Sequence, residues 1–533
     1  MTFPATRYET RYGDRLVRCF VDRPRSVDAM FRETVARHRD EVAVVLGGER
    51  VTYGEFDARV EAVARNLLAR GLAKGDRIAL LMGNNLEFFY AFMAAARAGL
   101  ISVPMNVRQR RPEIEFVLNQ CGAAAIVYDA EHEANLPEPD AVPTVRHRFS
   151  VAGGNAVPFS DLLAEADAVD FAAIDEEDTL CLLYTSGTTG KPKGAMLTHI
   201  GTIHSCMHFS HAWGIGPRDV GCLAVPASHV TGLVAIILTM IYAGGRTLVM
   251  PGFKARSFLE LAARERMTYT LIVPAMYNLC LLDPDFAGFD LSAWRIAGFG
   301  GAPMPPATVE RLRVALPNLT LCNAYGSTET TSPITLLPPG DIGRKPAAVG
   351  KVLPCGDVIV VDDDGVEVPP GQSGELLIGG VMVVPGYWDN PEGNASGFIG
   401  GYWVSGDLGA KDEDGYVYVF DRKKDMINRA GFKIYCIEVE SVMTHHASVV
   451  EAAVVGSPDP VLGERVHAFV FTDGRPFDAA DIRRFCAERL SDYKVPDTIM
   501  DLGAPLPRNA NGKIVKNELR GRLAGSGAGT GGQ

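Results

Sequence analysis

The chain has 533 residues, 47% of them apolar and 22% charged, with a formal net charge of −12. That length is too great for one hydrophobic core and implies two or three folded units. The acidic balance, with no basic block, argues against nucleic acid as a partner.

The first twenty residues mix charges throughout, which argues against a signal peptide. Residues 53–70 place Phe56, Val60, Val63 and Leu67 at helical spacing. A buried strand is predicted over 77–82, a helix over 87–98 and a strand over 101–104. This alternation implies a parallel sheet with helical crossovers, and the same rhythm returns near 247–250 and 271–273. The uncharged run 230–245 is too short and too glycine-rich to span a bilayer, so it reads as a buried helix, and no transmembrane segment is expected. From Lys351 onward, short strands over 358–362, 374–379 and 415–420 are bounded by Asp/Gly turns and suggest a β-rich subdomain. Beyond Asp425 the pattern predicts a helix over 437–445, strands over 451–455 and 467–472, and a helix over 479–490. Together these make an α+β unit of small-domain size. The stretch 525–533 is glycine-rich and expected to be disordered. Ten cysteines are scattered without a C-x-x-C pair, which fits reduced thiols in a cytoplasmic protein.

The most informative segment is 184–194, YTSGTTGKPKG, directly after the apolar run 180–183. Its glycines let backbone N–H groups turn toward phosphate oxygens, its hydroxyls add donors, and Lys191 and Lys193 add charge. It is not a Walker A loop: Pro192 follows Lys191, and Thr185 stands where the first glycine would be. Taken alone, a loop of this composition is most simply a surface loop. His204, His208 and His211 lie at i, i+4 and i+7 with His199 nearby. Surface or packed histidines are the favoured reading over a metal site.

Further segments stand in a telling order: NAYGSTE at 323–329, YWVSGDLG at 402–409, DRKKD at 421–425 with Gly431 beyond it, and PRNANGKI at 507–514. With the loop at 184–194 they closely resemble the motifs of the adenylate-forming superfamily, which holds acyl-CoA synthetases, peptide-synthetase adenylation domains and luciferases. Ser405 replaces the family's threonine in the second block. The likeness runs from about residue 50 to 520. It implies an α/β protein with a large N-terminal domain of parallel-sheet subdomains plus a β-rich subdomain, and a small mobile α+β C-terminal domain. The expected boundaries are 1–422 for the first (β-rich part about 351–422), 423–425 for a hinge, 426–524 for the second and 525–533 for the tail.

The resemblance also implies roles. Thr185, Ser186, Gly187, Thr188, Thr189, Gly190, Lys191 and Lys193 would hold the β- and γ-phosphates of ATP. Thr328 would donate to the α-phosphate, and Glu329, with Thr185, would ligate Mg²⁺. Tyr325 would stack on adenine in a pocket shared with Asn323, Ala324, Gly326, Gly301, Ala302 and Pro303. Asp407 would accept the ribose hydroxyls, with Val419 and Arg422 beside the nucleotide. Lys513 would reach the substrate carboxylate and the α-phosphate. Lys424 matches the hinge position, and Gly431, with Lys433, the loop that admits coenzyme A after the C-terminal domain rotates. His229 matches a position near the substrate carboxylate. The aspartate that pairs an α-amine in peptide synthetases is absent, so an amino acid is disfavoured. Apolar or small residues at 273–278 and 299–303 suggest an apolar monocarboxylic acid, bulky or cyclic forms included.

The expected reaction is ATP-dependent acid–CoA ligation through acyl-AMP, in a monomer or homodimer. One alternative is adenylation alone, with transfer to an acyl-carrier protein or a partner ligase. Cys436, standing where relatives commonly carry proline, keeps that alternative open. The other is a non-catalytic nucleotide-binding protein.

Overall fold

The computed structural model describes residues 2–185, 191–302, 304–508 and 514–526. Two compact units emerge, one of Met1–Ile359, Leu377–Val404 and Gly415–Val417, the other of Val360–Leu376, Ser405–Asp414 and Tyr418–Gln533.

The first unit is built on predominantly parallel sheets. One runs in the order Lys193–Thr198, Thr179–Thr185, Ile101–Pro104, Arg77–Leu81, Ala123–Asp129, His147–Val151, Val157–Pro158. All neighbours in it are parallel except the first pair, which is antiparallel. A second set runs Thr320–Tyr325, Ile296–Phe299, Tyr269–Ile272, Val220–Leu223, Arg246–Val249, Val42–Leu46, Glu49–Thr52, again parallel apart from its last pair. Strands such as Ile78, Ala79 and Leu80 are apolar on both faces because helices cover both sides. The helix Tyr53–Ala69 starts at a capping box between Thr52 and Glu55 and buries Phe56, Val60, Val63 and Leu67, the four positions that its periodicity marks.

Over 230–245 the winding differs from the expected α-helix. Thr231–Leu238 is π-helical and only Thr239–Ala243 is α-helical. A side chain at Gly232 would meet the Pro226 carbonyl oxygen at 2.3 Å, so the bend into this segment admits glycine alone. The wider turn leaves the Val234 carbonyl to accept from the Thr239 hydroxyl at 2.8 Å.

The predicted β-rich region appears as the strands Gly356–Val361, Gly374–Gly380, Tyr402–Lys411 and Tyr416–Arg422, whose residues are divided between the two units. In the second unit a sheet of Phe432–Ile434, Ile427–Arg429, Gly463–Phe471 and Glu451–Asp459 is joined by Thr498–Asp501 beside Gly463–Phe471. The helices Cys436–Met443 and Ala479–Ala487 bury Val439, Met443, Ile482 and Cys486 against it. The helix Lys516–Ser526 extends two residues into the stretch expected to be disordered; residues 527–533 lie outside the described residues. All ten cysteines are buried and free. No described helix is long and apolar enough to cross a membrane.

Candidate active site

Two strands flank the segment expected to bind phosphate. Thr185 ends one strand and Lys193 begins its antiparallel neighbour, and the two residues are register partners. The register therefore fixes the two described ends of the glycine-rich segment. Ser186, Gly187, Thr188, Thr189 and Gly190 lie outside the described residues, as do Pro303 and Lys513. Lys191 is exposed and Lys193 half-buried.

Asn323, Ala324 and Tyr325 end the strand Thr320–Tyr325, and Gly326 turns it into the 3₁₀ turn Thr328–Thr330. Ser327 N–H donates to the Thr330 hydroxyl at 2.9 Å, so the turn is fixed from within. Glu329 is buried beneath it, 8% exposed, and three hydroxyls point at its carboxylate. Tyr387 donates to Oε1 at 3.0 Å, Ser327 to Oε2 at 2.9 Å, and Thr185 lies 3.4 Å from Oε1. The structure thus brings together Thr185 and Glu329, separated by 144 positions. A single carboxylate with a hydroxyl beside a phosphate-binding loop suits Mg²⁺, a hard cation that usually binds one or two carboxylates plus substrate phosphates. Tyr325 and Thr328 are half-buried, and Gly301 and Ala302 exposed. A side chain at Gly300 would meet the Ala324 carbonyl oxygen at 2.4 Å, so the 299–302 bend packs directly on the strand that carries Tyr325.

His229 sits in the turn before the π-helical segment. Asn106 Oδ1 accepts from Arg108 N–H at 2.9 Å, which turns its amide nitrogen toward His229 Nε2, 3.3 Å away. His229 Nε2 is then the acceptor. Asn84, buried, ties the same segment down: its amide donates to the Val225 and Met250 carbonyls, and its oxygen accepts from Ala227 N–H.

In the second unit Asp407 is buried, with Arg422 Nε 2.7 Å from its carboxylate. Its own N–H donates to the Ser405 hydroxyl, which donates to the Leu376 carbonyl. Val419 is half-buried on the strand Tyr416–Arg422 and Lys424 is exposed. Gly431, at φ +88°, and Ala430, at φ +52°, form the two-residue turn between Ile427–Arg429 and Phe432–Ile434. A turn with both residues at positive φ favours glycine. Lys433 is exposed, 3.6 Å from Asp363. Arg508 and Ile514 form an antiparallel bridge, and Arg508 pairs with Glu451 at 2.8 Å, so both flanks of the Lys513 segment are anchored. Cys436 N–H donates to the Asp421 carboxylate, a bond that proline could not make, and its thiol donates to the Asp425 carbonyl at 3.0 Å.

The histidine-rich helix His199–Trp213 is packed into its unit. His199, His204 and His208 are buried, and His204 takes Phe20 N–H on Nε2 while its Nδ1 faces the Ile200 carbonyl. Among the described residues, the group of His, Cys, Asp and Glu close enough to share an ion is Asp129, Glu131 and His132, elsewhere in the unit.

Tyr387, Trp403, Asn106 and Asn84 were not singled out by the sequence. Tyr387 lies inside a GYW run at 386–388 and Trp403 inside the block at 402–409, yet the contacts they make are visible only in the fold.

Residues 31–388 match the family model described as AMP-binding enzyme, and 438–513 that of the AMP-binding enzyme C-terminal domain. The chain is 35% identical over 479 residues to the long-chain-fatty-acid–CoA ligase FadD13 of Mycobacterium tuberculosis H37Rv, covering 88% of this chain and 93% of that one. It is 33% identical over 482 residues to a feruloyl-CoA synthase of an Amycolatopsis species, covering 90% and 96%. Among solved structures, the O-succinylbenzoate coenzyme A synthetase of Bacillus subtilis in complex with ATP and magnesium ion superposes with a TM-score of 0.83 at 29% identity, covering 92% of this chain and 99% of that one.

Proposed function

Because the chain belongs to the AMP-binding enzyme family and is an acid–thiol ligase of its AMP-forming kind, we propose that it activates an apolar monocarboxylic acid, aromatic or long-chain, and passes the acyl group to coenzyme A. The co-substrates are ATP and coenzyme A, with Mg²⁺ as cofactor. In the first half-reaction a carboxylate oxygen attacks the α-phosphorus, the bond to the bridging oxygen breaks, and pyrophosphate leaves. In the second, the coenzyme A thiolate attacks the acyl carbon and AMP leaves with the electron pair.

The observation that carries this reading is the convergence of Thr185 and Glu329 at one end of the phosphate-binding loop. Lys193, half-buried at the other end, would neutralise charge on the departing phosphates. Thr328 and Lys513 are assigned to the α-phosphate, with Lys513 also orienting the acid. Tyr325 and its neighbours Asn323, Ala324 and Gly326, with Gly301, Ala302 and Pro303, are assigned to adenine. Asp407 is assigned to the ribose and held there by Arg422. Bound Mg²⁺ would supply charge stabilisation to the phosphates through Glu329. His229, whose Nε2 accepts from the Asn106 amide, is assigned to the acid's carboxylate. Lys424, Gly431 and Lys433 are assigned to the coenzyme A step, which the family's hinge residues 423–425 would admit. The apolar acid is supported by the absence of a cation among residues 273–278 and 299–302. A cytoplasmic location and a monomer or homodimer complete the reading.

The test is pyrophosphate release over linear, aromatic and polycyclic acids, with and without coenzyme A, with products identified by mass spectrometry. Acyl-CoA from one acid class is the expected result. Pyrophosphate and acyl-AMP with no acyl-CoA would replace this reading with adenylation for a carrier protein or a partner ligase. ATP binding with no pyrophosphate release for any acid would leave only a nucleotide-binding protein.

A further inference from the structure

One side chain that no motif assigns stands between the two charged groups of the phosphate site. Tyr387 is 5% exposed. Its hydroxyl donates to Glu329 Oε1 at 3.0 Å, and the Lys193 ammonium lies 5.0 Å from the centre of its ring. The hydroxyl oxygen also accepts from the indole N–H of Trp403 at 3.3 Å. The indole therefore takes a lone pair and leaves the phenol proton directed at the carboxylate.

The backbone that carries this ring is unusually fixed. Ala195 and Tyr387 form an antiparallel bridge, Met196 N–H donates to the Gly386 carbonyl, and Trp388 N–H donates to the Gly194 carbonyl. Tyr387 is thus stitched alongside the strand that begins at Lys193. Asn394 closes the other side, accepting from Tyr387 N–H and donating to its carbonyl. Upstream, Arg15 donates to the Val384 and Pro385 carbonyls. A ring held this firmly fixes the direction of its hydroxyl, and a cation over its face gains electrostatic attraction.

We propose, resting on the reading of Glu329 as the Mg²⁺ carboxylate, that Tyr387 is a positioning residue for magnesium–triphosphate binding: its hydroxyl orients Glu329 and its ring seats Lys193. Groups behind a metal ligand typically change metal affinity by about 10–100-fold when removed. Here Ser327 and Thr185 also face the carboxylate, so the lower end applies.

The experiment uses full-length protein and Mn²⁺ as the probe, read by electron paramagnetic resonance at saturating ATP, with ATP binding in the absence of metal read by calorimetry. Tyr387→Phe removes the hydroxyl and keeps the ring. It should weaken Mn²⁺ binding about tenfold and leave metal-free ATP affinity within about twofold. Its Mg²⁺ requirement for pyrophosphate release should rise in step, with kcat restored at saturating Mg²⁺. Tyr387→Leu should weaken metal-free ATP binding as well. Should the leucine variant fail to fold, Trp403→Phe replaces it and should weaken Mn²⁺ binding by a smaller factor than Tyr387→Phe. A purely structural tyrosine would lower thermal stability while leaving the Mn²⁺ dissociation constant of the folded protein unchanged, and that result overturns the proposal. Absence of Mn²⁺ binding in the unmodified protein with ATP, or undiminished binding in Glu329→Gln, would instead overturn the assignment of Glu329.

Discussion

Glu329 of the first unit is held differently from the carboxylates of the second, and from its own unit's Glu9, Asp28 and Asp219, which pair with arginines. In the first, Glu329 is surrounded by neutral donors, the hydroxyls of Tyr387, Ser327 and Thr185, and no described cation neutralises it in an ion pair. In the second, Asp407 pairs with Arg422, Asp425 with Arg520, Glu440 with Lys516 and Asp497 with Arg429, each within 2.8 Å. Hydroxyls orient a carboxylate without consuming its charge, which stays available to a cation. An arginine consumes it, and in exchange gives a directional, charge-assisted link that survives partial exposure. The contrast fits the proposal that Glu329 serves a metal, while the ion pairs of Asp425, Glu440 and Asp497 serve structure.

The largest effect that this comparison predicts is at Glu329. Glu329→Gln keeps the shape and its hydrogen-bonding neighbours but removes the charge. It should reduce Mg²⁺-dependent pyrophosphate release by at least about a hundredfold with little change in melting temperature. A large loss of stability at unchanged activity would mean that the carboxylate is structural.

Acid pH should separate the units next. His199, His204 and His208 are buried on one helix, and burial lowers the pKa of the first to about 4, of the second to about 3, and of the third well below 6.5. His199 and His204 each accept a backbone N–H, from Val27 and Phe20 respectively, bonds that protonation would break. The unfolded chain, protonating these groups near 6.5, binds more protons than the folded one below that pH. Stability is therefore complete above about pH 6.5 and falls as pH drops toward 4, by up to about 1.4 kcal/mol per pH unit for each histidine. His467, buried in the second unit, shifts in the same direction, but its two ring nitrogens face the Ser457 and Thr498 hydroxyls and neither holds a backbone N–H. Hydrogen exchange corrected for intrinsic rates should show residues 20–27 and 199–213 losing protection between pH 7.5 and 5.5 before 427–443 does. Equal loss in both would contradict the assignment.

A smaller effect is expected at Cys436. The residue occupies the first position of the helix Cys436–Met443, where proline's fixed φ is tolerated. Cys436→Pro nevertheless removes the N–H that faces the buried Asp421 carboxylate, along with the thiol's bond to Asp425. Chemical denaturation should show the second unit weakened by about 1–3 kcal/mol, with pyrophosphate release unchanged. A gain in stability would show that the family's usual residue fits this backbone better than the one present.

Much of this was legible before folding, and the reasons are local. The strand Arg77–Leu81 and the helix Leu86–Ala98 follow the expected strand over 77–82 and helix over 87–98. Thr185, Glu329, Asp407 and Arg422 could be named as candidates because their motifs are contiguous, and the fold sets Thr185 beside Glu329 and Arg422 beside Asp407. Tyr387 was not, because its meaning depends on Glu329, 58 positions away, and on a bridge to Ala195. The π-helical winding at Thr231–Leu238 escaped periodicity because every residue there except Thr231 is buried, which removes the polar face that reveals a period. The helix end at Ser526 escaped composition, since glycine content alone argued for its absence.

The most direct test of the central claim, that one chain runs two half-reactions, is to measure them separately in two variants. Lys513→Ala should abolish pyrophosphate release yet form thioester from supplied acyl-AMP and coenzyme A. Gly431→Leu should do the reverse; the space around Gly431 is open, so its folded structure bears only the strain of a positive φ, about 1–2 kcal/mol. Opposite losses in the two variants are the predicted result. Equal loss of both half-reactions in Lys513→Ala, or undiminished acyl-CoA synthesis in Gly431→Leu, would contradict it.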